Sequence, residues 1–170
     1  MKKKKLFRGK NFDVSSYEFS ISGKKVQHEI IEQSSVSAIL AIEDDKIIMV
    51  KQFRYPHKEA LEIPAGTINK NETSLNCAKR ELLEETGYSA INLKYLTRYY
   101  PVQGYNLQYI DCFVATKLKK ISELKLDDGE FVTVEKIPLK KIISMIKSGK
   151  ITDSKTICSV MIYASKKNII

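Results

Sequence analysis

Long apolar runs are missing from this chain: nothing in its 170 residues approaches the roughly twenty consecutive apolar side chains that a bilayer span requires. A signal-peptide core is missing too, since Lys2 to Lys5 lead only into Leu6 and Phe7. The expected location is the cytoplasm, with no membrane partner. Cysteine is scarce. Cys77, Cys112 and Cys158 are odd in number, far apart and without the paired spacing of a zinc site or a disulfide framework, so they read as reduced, buried thiols. His28 and His57, the two histidines, have no evident nucleophile partner and are read as non-catalytic. Repeats and low-complexity linkers are also absent, and a chain of this length is expected to form one domain with at most a small appendage.

Acidic residues are in deficit: 20 Asp+Glu stand against 29 Lys+Arg, a formal net charge of +9. Such a field concentrates anions without identifying them. The four consecutive lysines carry no interleaved aromatics and read as a solvated tail, so nucleic acid is not the expected partner. With 43% hydrophobic residues the chain has enough apolar side chains for a core, which sets disorder aside.

Residues 11–31 read as short strands divided by the turn Ser22-Gly23, a hairpin; a weak boundary near Ser34 separates this segment, 1–34, from the remainder, 35–170. Residues 35–42 and 46–53 are apolar, β-branched strands around the turn Glu43-Asp44-Asp45. Leu61 to Pro64 is extended, and a loop is expected from Gly66. Residues 73–86 are the clearest helix: Leu75, Ala78 and Leu82 fall on one stripe, and Gly87 stands at its C-terminal stop. Strands are expected over 93–100, 107–115 and 130–136, then helices over 139–147 and 153–165, the last with Asp153 as cap and Gly149 between the two.

On the first of these helices Glu81 and Glu85 lie one turn apart, with Glu84 beside them. Like charges at this spacing repel, and Arg80 offsets only part of the repulsion. Two readings follow. One is an exposed acidic face; the other is a carboxylate site for a hard divalent ion that also meets substrate phosphates.

Gly66, Glu72, Arg80-Glu81-Leu82, Glu84-Glu85 and Gly87 stand at the spacing G-x5-E-x7-R-E-U-x-E-E-x-G-U (U apolar), and this pattern resembles the Nudix box, with Tyr88 at the last position as its one departure. The resemblance implies an α+β fold, an αβα sandwich around a mixed sheet with a small N-terminal antiparallel subdomain. It also implies hydrolysis of a nucleoside diphosphate derivative with Mg²⁺, for which Mn²⁺ can substitute. By that resemblance Glu81 and Glu85 are the main metal ligands, Glu84 assists in metal binding and catalysis, the carbonyl of Ala65 joins them, and Glu72 and Arg80 brace the motif.

Outside the box, Val50 to Pro56 and Leu61 to Gly66 look like segments of the ADP-ribose pyrophosphatase branch. This implies that Arg54 contacts the substrate phosphates and that Glu62 extends the acidic site; the other readings are a covered strand end and a surface carboxylate. Residues 100–108, with Gly104, are similar to that branch's substrate loop, but Gln103 and Gln108 depart from its proline and acidic residue. Another nucleoside diphosphate sugar is the alternative substrate. Glu130 aligns with a water-activating glutamate, or else is a solvated turn. The N-terminal segment resembles a subdomain exchanged across a homodimer, which would set Phe12 against adenine; core packing is its other reading. A non-catalytic module binding a nucleotide or nucleic acid is the rival from another class, and the complete box argues against it.

Overall fold

The computed structural model of the chain describes residues 2–56, 58–124 and 132–170. His57 and the acidic segment carrying Asp127, Asp128 and Glu130 lie outside the described residues. Ser22 and Gly23, at φ 50° and 79°, turn β2 (Asp13–Ile21) back into β3 (Lys24–Glu32), as the turn residues predict. The lysine run is not a solvated tail. It forms β1 (Lys2–Arg8), antiparallel to β2, because charges across the sheet receive it: Lys3 meets Glu32 at 2.7 Å and Lys5 meets Asp13. The N-terminal segment is thus a three-stranded antiparallel sheet rather than a lone hairpin.

The body begins with β4 (Val36–Glu43) and β5 (Lys46–Arg54), joined through Asp44 and Asp45 at φ 48° and 60°. There follow β6 (Lys58–Glu62), β7 (Ala65–Thr67), α1 (Ser74–Thr86), β8 (Tyr88–Tyr99), β9 (Ile110–Lys120), β10 (Val132–Pro138), α2 (Leu139–Lys147) and α3 (Ser154–Lys166). Gly66 does not open a loop: it lies in β7, paired with Ser37 of β4. β9 starts later than expected because the preceding backbone is engaged elsewhere. Leu107 N–H donates to the Ile31 carbonyl at 3.1 Å, and Ile31 N–H to the Tyr105 carbonyl at 2.7 Å, which fastens the N-terminal sheet to the loop before β9.

Among the described residues seven strands make one mixed sheet, ordered β10-β5-β4-β9-β8, with β6 added to β5 and β7 to β4; β4 and β9 run parallel. Strands buried on both faces read as continuous apolar runs, which is why β4 and β5 do. Ala38 and Leu40 of β4 pack on one face with Ile142, Ile143, Val160 and Ala164 of α2 and α3. Ile39 and Ala41 pack on the other with Ala78 and Leu82 of α1. Helices on both faces of a mixed sheet are the αβα sandwich expected from the sequence. Leu75 departs from that expectation: it is 37% exposed, while α1 buries Cys77, Ala78, Leu82, Glu85 and Thr86. All three thiols are free, Cys77 and Cys112 buried and Cys158 half-buried.

Candidate active site

Thr73 caps α1 by accepting from Asn76 N–H at 3.2 Å, and Gly87, at φ 72°, closes it by donating to the Leu83 carbonyl at 2.8 Å. Between the caps, the buried stripe Ala78, Leu82, Glu85 runs at i, i+4, i+7, so the helical period that anchors the core also carries a carboxylate inward. Glu85 Oε2 accepts from Ala65 N–H at 3.0 Å, joining the helix to β7. Glu81 lies against Gly66: a Cβ on that glycine would stand 1.8 Å from Glu81 Oε1, so only glycine leaves the carboxylate its place.

Arg80 organises the remaining carboxylates. Nε and Nη2 fork onto Glu72 at 3.0 Å each, Nη1 reaches Glu81 at 2.6 Å and Glu84 at 2.9 Å, and Nη2 also donates to the Thr67 carbonyl at 3.1 Å. The hydrogen bond to Glu72 is the largest cause of the upward shift of Arg80, and it holds the Glu72 carboxyl below its ordinary range. Cys77 sits beneath this group, 3.5 Å from the Gly66 carbonyl and 3.4 Å from that of Thr67, and burial pushes its thiol up to about 11. A protonated thiol of this kind is a packing group rather than a nucleophile.

Glu81, Glu84 and Glu85 line a cavity of about 420 Å³ with Ala65, Gly66 and Arg80, and Arg54 and Gln52 stand in the same wall. Glu72, Glu81, Glu84 and Glu85 stand against two cations, Arg80 and Arg54, so negative charge is in excess. Among the described residues no three His, Cys, Asp or Glu side chains are gathered as a metal cage. Mg²⁺ does not need one, because it takes one or two carboxylates together with water and substrate phosphates. Hard oxygen donors in negative excess, with Gly66 keeping Glu81 in the wall, fit such an ion.

Of the residues singled out in the sequence, Arg54, Ala65, Arg80, Glu81, Glu84 and Glu85 come together here. Glu62 does not line the cavity. It is buried, with Arg54 forked onto it at 2.9 and 2.8 Å and Lys155 on the same carboxylate, so it is a paired anion rather than an extension of the acidic wall. Burial alone would raise its carboxyl, but the Arg54 hydrogen bonds and the Lys155 charge outweigh burial and hold it below the ordinary 4.5. Phe12 lies in the connection between β1 and β2, 42% exposed and 6.1 Å from the Phe7 ring; Gly104 lies in an open turn, and neither lines this cavity. Glu130 is outside the described residues.

A second cavity of about 290 Å³ shares Arg54, Ala65, Gly66 and Thr67 with the first and extends to Pro101, Gln108, Asp153 and Lys155. Sequence reasoning had not assigned Lys155 or Gln52 to the site. The available signal was Asp153: a helix cap brings the residues just after it to the helix end, wherever that end is packed.

A model of the NUDIX domain matches residues 32–159. The chain is 36% identical over 169 residues to an ADP-ribose pyrophosphatase of Bacillus subtilis, covering 97% of this chain and 91% of that one. It is 37% identical over 142 residues to a methanol dehydrogenase activator of Bacillus methanolicus, covering 82% and 77%. To a GDP-mannose pyrophosphatase of Yersinia enterocolitica it is 28% identical over 163 residues, covering 86% and 84%. A solved structure described as an ADP compounds hydrolase superposes with a TM-score of 0.84 at 20% identity, over all of this chain and 95% of that one, a likeness of fold. With the complete box folded into one carboxylate wall and the domain match covering most of its length, the chain belongs to the Nudix family.

Proposed function

We propose that this chain is a homodimeric cytoplasmic enzyme that uses Mg²⁺, or Mn²⁺ in its place, to hydrolyse the pyrophosphate bond of ADP-ribose to AMP and ribose 5-phosphate. Residues 1–34 serve as the dimerisation subdomain and 35–170 as the hydrolase domain. The observation that carries the substrate is the 36% identity with an ADP-ribose pyrophosphatase across nearly the whole chain. Glu81, Glu84, Glu85 and the Ala65 carbonyl would hold the ion. When bound, a divalent cation supplies positive charge against the diphosphate oxygens and acidity to adjacent water.

The chain's own residues do the rest. Arg80 keeps Glu81 and Glu84 oriented, so the wall is in place before substrate arrives, and its roles are bracing and charge compensation. Arg54 offers a guanidinium to the phosphates. Glu130 takes the proton of the attacking water, a role resting on the sequence resemblance. Gly104 leaves the substrate loop room, and Phe12 of a second copy stacks on adenine. The test is a panel of nucleoside diphosphate sugars with and without Mg²⁺, run beside Glu85→Gln and Glu130→Gln. ADP-ribose should be cleaved fastest. Glu85→Gln should weaken Mg²⁺ binding, whereas Glu130→Gln should spare it and lower single-turnover hydrolysis by roughly 10²- to 10⁴-fold. No cleavage of any compound by the parent protein would end the enzyme reading, and near-normal turnover in Glu130→Gln would move the base elsewhere.

Gln108, a neutral amide in the second cavity, favours a second reading, another nucleoside diphosphate sugar, which the more distant GDP-mannose pyrophosphatases also suit.

A further inference from the structure

Across the cavity from the glutamate helix, a buried charge network ties β5, β6 and α3 together. Glu62, the last residue of β6, has a side chain 3% exposed and is shared by two cations: Arg54, 46% exposed in the cavity wall, and Lys155, 11% exposed. Lys155 Nζ also meets Asp153 Oδ1 at 2.8 Å. Asp153 caps α3 through Thr156 N–H at 2.9 Å and accepts from the Thr156 hydroxyl at 2.6 Å. That hydroxyl in turn accepts from Ile63 N–H at 2.9 Å, so the start of α3 is fastened to the residue after Glu62. Lys155 therefore has little freedom, and it is set against a carboxylate that burial would otherwise destabilise.

Arg54 uses Nε and Nη2 on Glu62, and among the described residues Nη1 has no hydrogen-bond partner. A guanidinium whose one edge is fixed presents the other in a defined direction. Without Lys155, Glu62 would carry its full charge against Arg54 alone, or would take up a proton and release the fork. Either change alters what Arg54 offers the cavity. We infer that Lys155 is a positioning residue for the diphosphate: by sharing Glu62 it fixes that carboxylate in place, and so holds Arg54 with its outer N–H groups turned to the substrate. The inference rests on Arg54 contacting the diphosphate, as proposed above. It assigns Lys155 no contact with the substrate.

The experiment measures calorimetric binding of methylenediphosphonate, a diphosphate that cannot be hydrolysed, in the presence of Mg²⁺. The parent protein is compared with Lys155→Met, Lys155→Arg, Glu62→Gln and the Glu62→Gln, Lys155→Met pair. Lys155→Met should bind about tenfold more weakly, on the scale of one charge-assisted hydrogen bond. Lys155→Arg should recover to within about threefold, because the charge returns. On ADP-ribose the loss should appear in KM more than in kcat. In the Glu62→Gln background, Lys155→Met should add less than about twofold, because the route through Glu62 is already cut and Lys155 keeps Asp153 as partner. Parent-like binding by Lys155→Met, or a tenfold further loss in the pair, would overturn the inference, the latter making Lys155 a direct anion contact. Should Lys155→Met fail to fold, Glu62→Gln and the pair decide together: parent-like binding by Glu62→Gln, or a tenfold further loss in the pair, would overturn the inference. If the parent binds the diphosphonate but cleaves no ADP-ribose, the proposed function fails and the binding series still decides on Lys155; if it binds none, the inference fails.

Discussion

Glu81 and Gly66 compete for the same volume, and the glycine yields it. Replacing Gly66 by Ala puts a Cβ 1.8 Å from a carboxylate oxygen that now hydrogen-bonds Arg80 Nη1 at 2.6 Å. The carboxylate is the far end of a flexible side chain, so it swings away and the fold survives. Gly66→Ala should therefore unfold near the parental temperature yet lose about 10²-fold in turnover, the scale of a misplaced reacting group; parental kinetics would show that Glu81 need not stand there. Glu62 allows a prediction about pH. Its carboxyl is held below the ordinary value near 4.5, so its contribution to stability is fully present above that value and is lost as pH falls through the lower, folded value. Arg54 stays charged throughout. Glu62→Gln should be less stable at neutral pH by about 1–3 kcal/mol, as expected for hydrogen bonds to a charged group. Its unfolding midpoint should also fall less steeply than the parent's between about pH 5 and 3, readable by thermal denaturation in a buffer series.

At the scale of elements, two helix termini do different work. The end of α1 is closed by Gly87, where an added Cβ would stand 2.2 Å from the Ser122 carbonyl, so the glycine serves a close backbone approach as well as the φ of 72°. The start of α3 is a joint. Asp153 caps the helix, receives the Thr156 hydroxyl and pairs with Lys155, so one carboxylate couples α3 to β6. Asp153→Ala should cost about 1–2 kcal/mol of stability, the range of a lost N-cap, while Asp153→Asn, itself a good cap, should recover most of it. Urea denaturation of the pair separates capping from charge: equal losses in both variants would mean that the Lys155 contact, not the cap, holds the joint.

The whole molecule is a two-faced sandwich with an appended sheet that buries little of itself. β1 is exposed along its length, and Phe7, Phe12 and Ile21 are 52%, 42% and 54% exposed. A small sheet with this much uncovered apolar surface is marginal alone, and pairing with a second copy would cover it. Deleting residues 1–31 should then give a monomer or an insoluble chain, as light scattering would report. It should also abolish ADP-ribose hydrolysis, because the deletion removes Phe12 and the Ile31 backbone that fastens the loop at Tyr105 and Leu107. An active dimer lacking this segment would refute both the exchanged sheet and the placement of Phe12.

What was legible in the sequence was local. Ser22-Gly23 mark a turn, Gly87 a helix stop, Asp153 a cap, and the apolar runs of β4 and β5 core strands; each of these depends on a few neighbouring residues. The box spacing likewise marked the carboxylates of one helix, because a helical period converts sequence separation into a face. Tertiary structure decided what lies far apart in the chain. Lys2 to Lys5 form a strand by pairing with β2, where Glu32 and Asp13 receive Lys3 and Lys5, and Leu75 stays exposed because the sheet meets α1 along Ala78 and Leu82 instead. Glu62 became a buried ion-pair partner through a lysine 93 residues away. No window along the sequence contains that pair, since its energy depends on burial and distance, and both exist only after the sheet has brought β6 and α3 together.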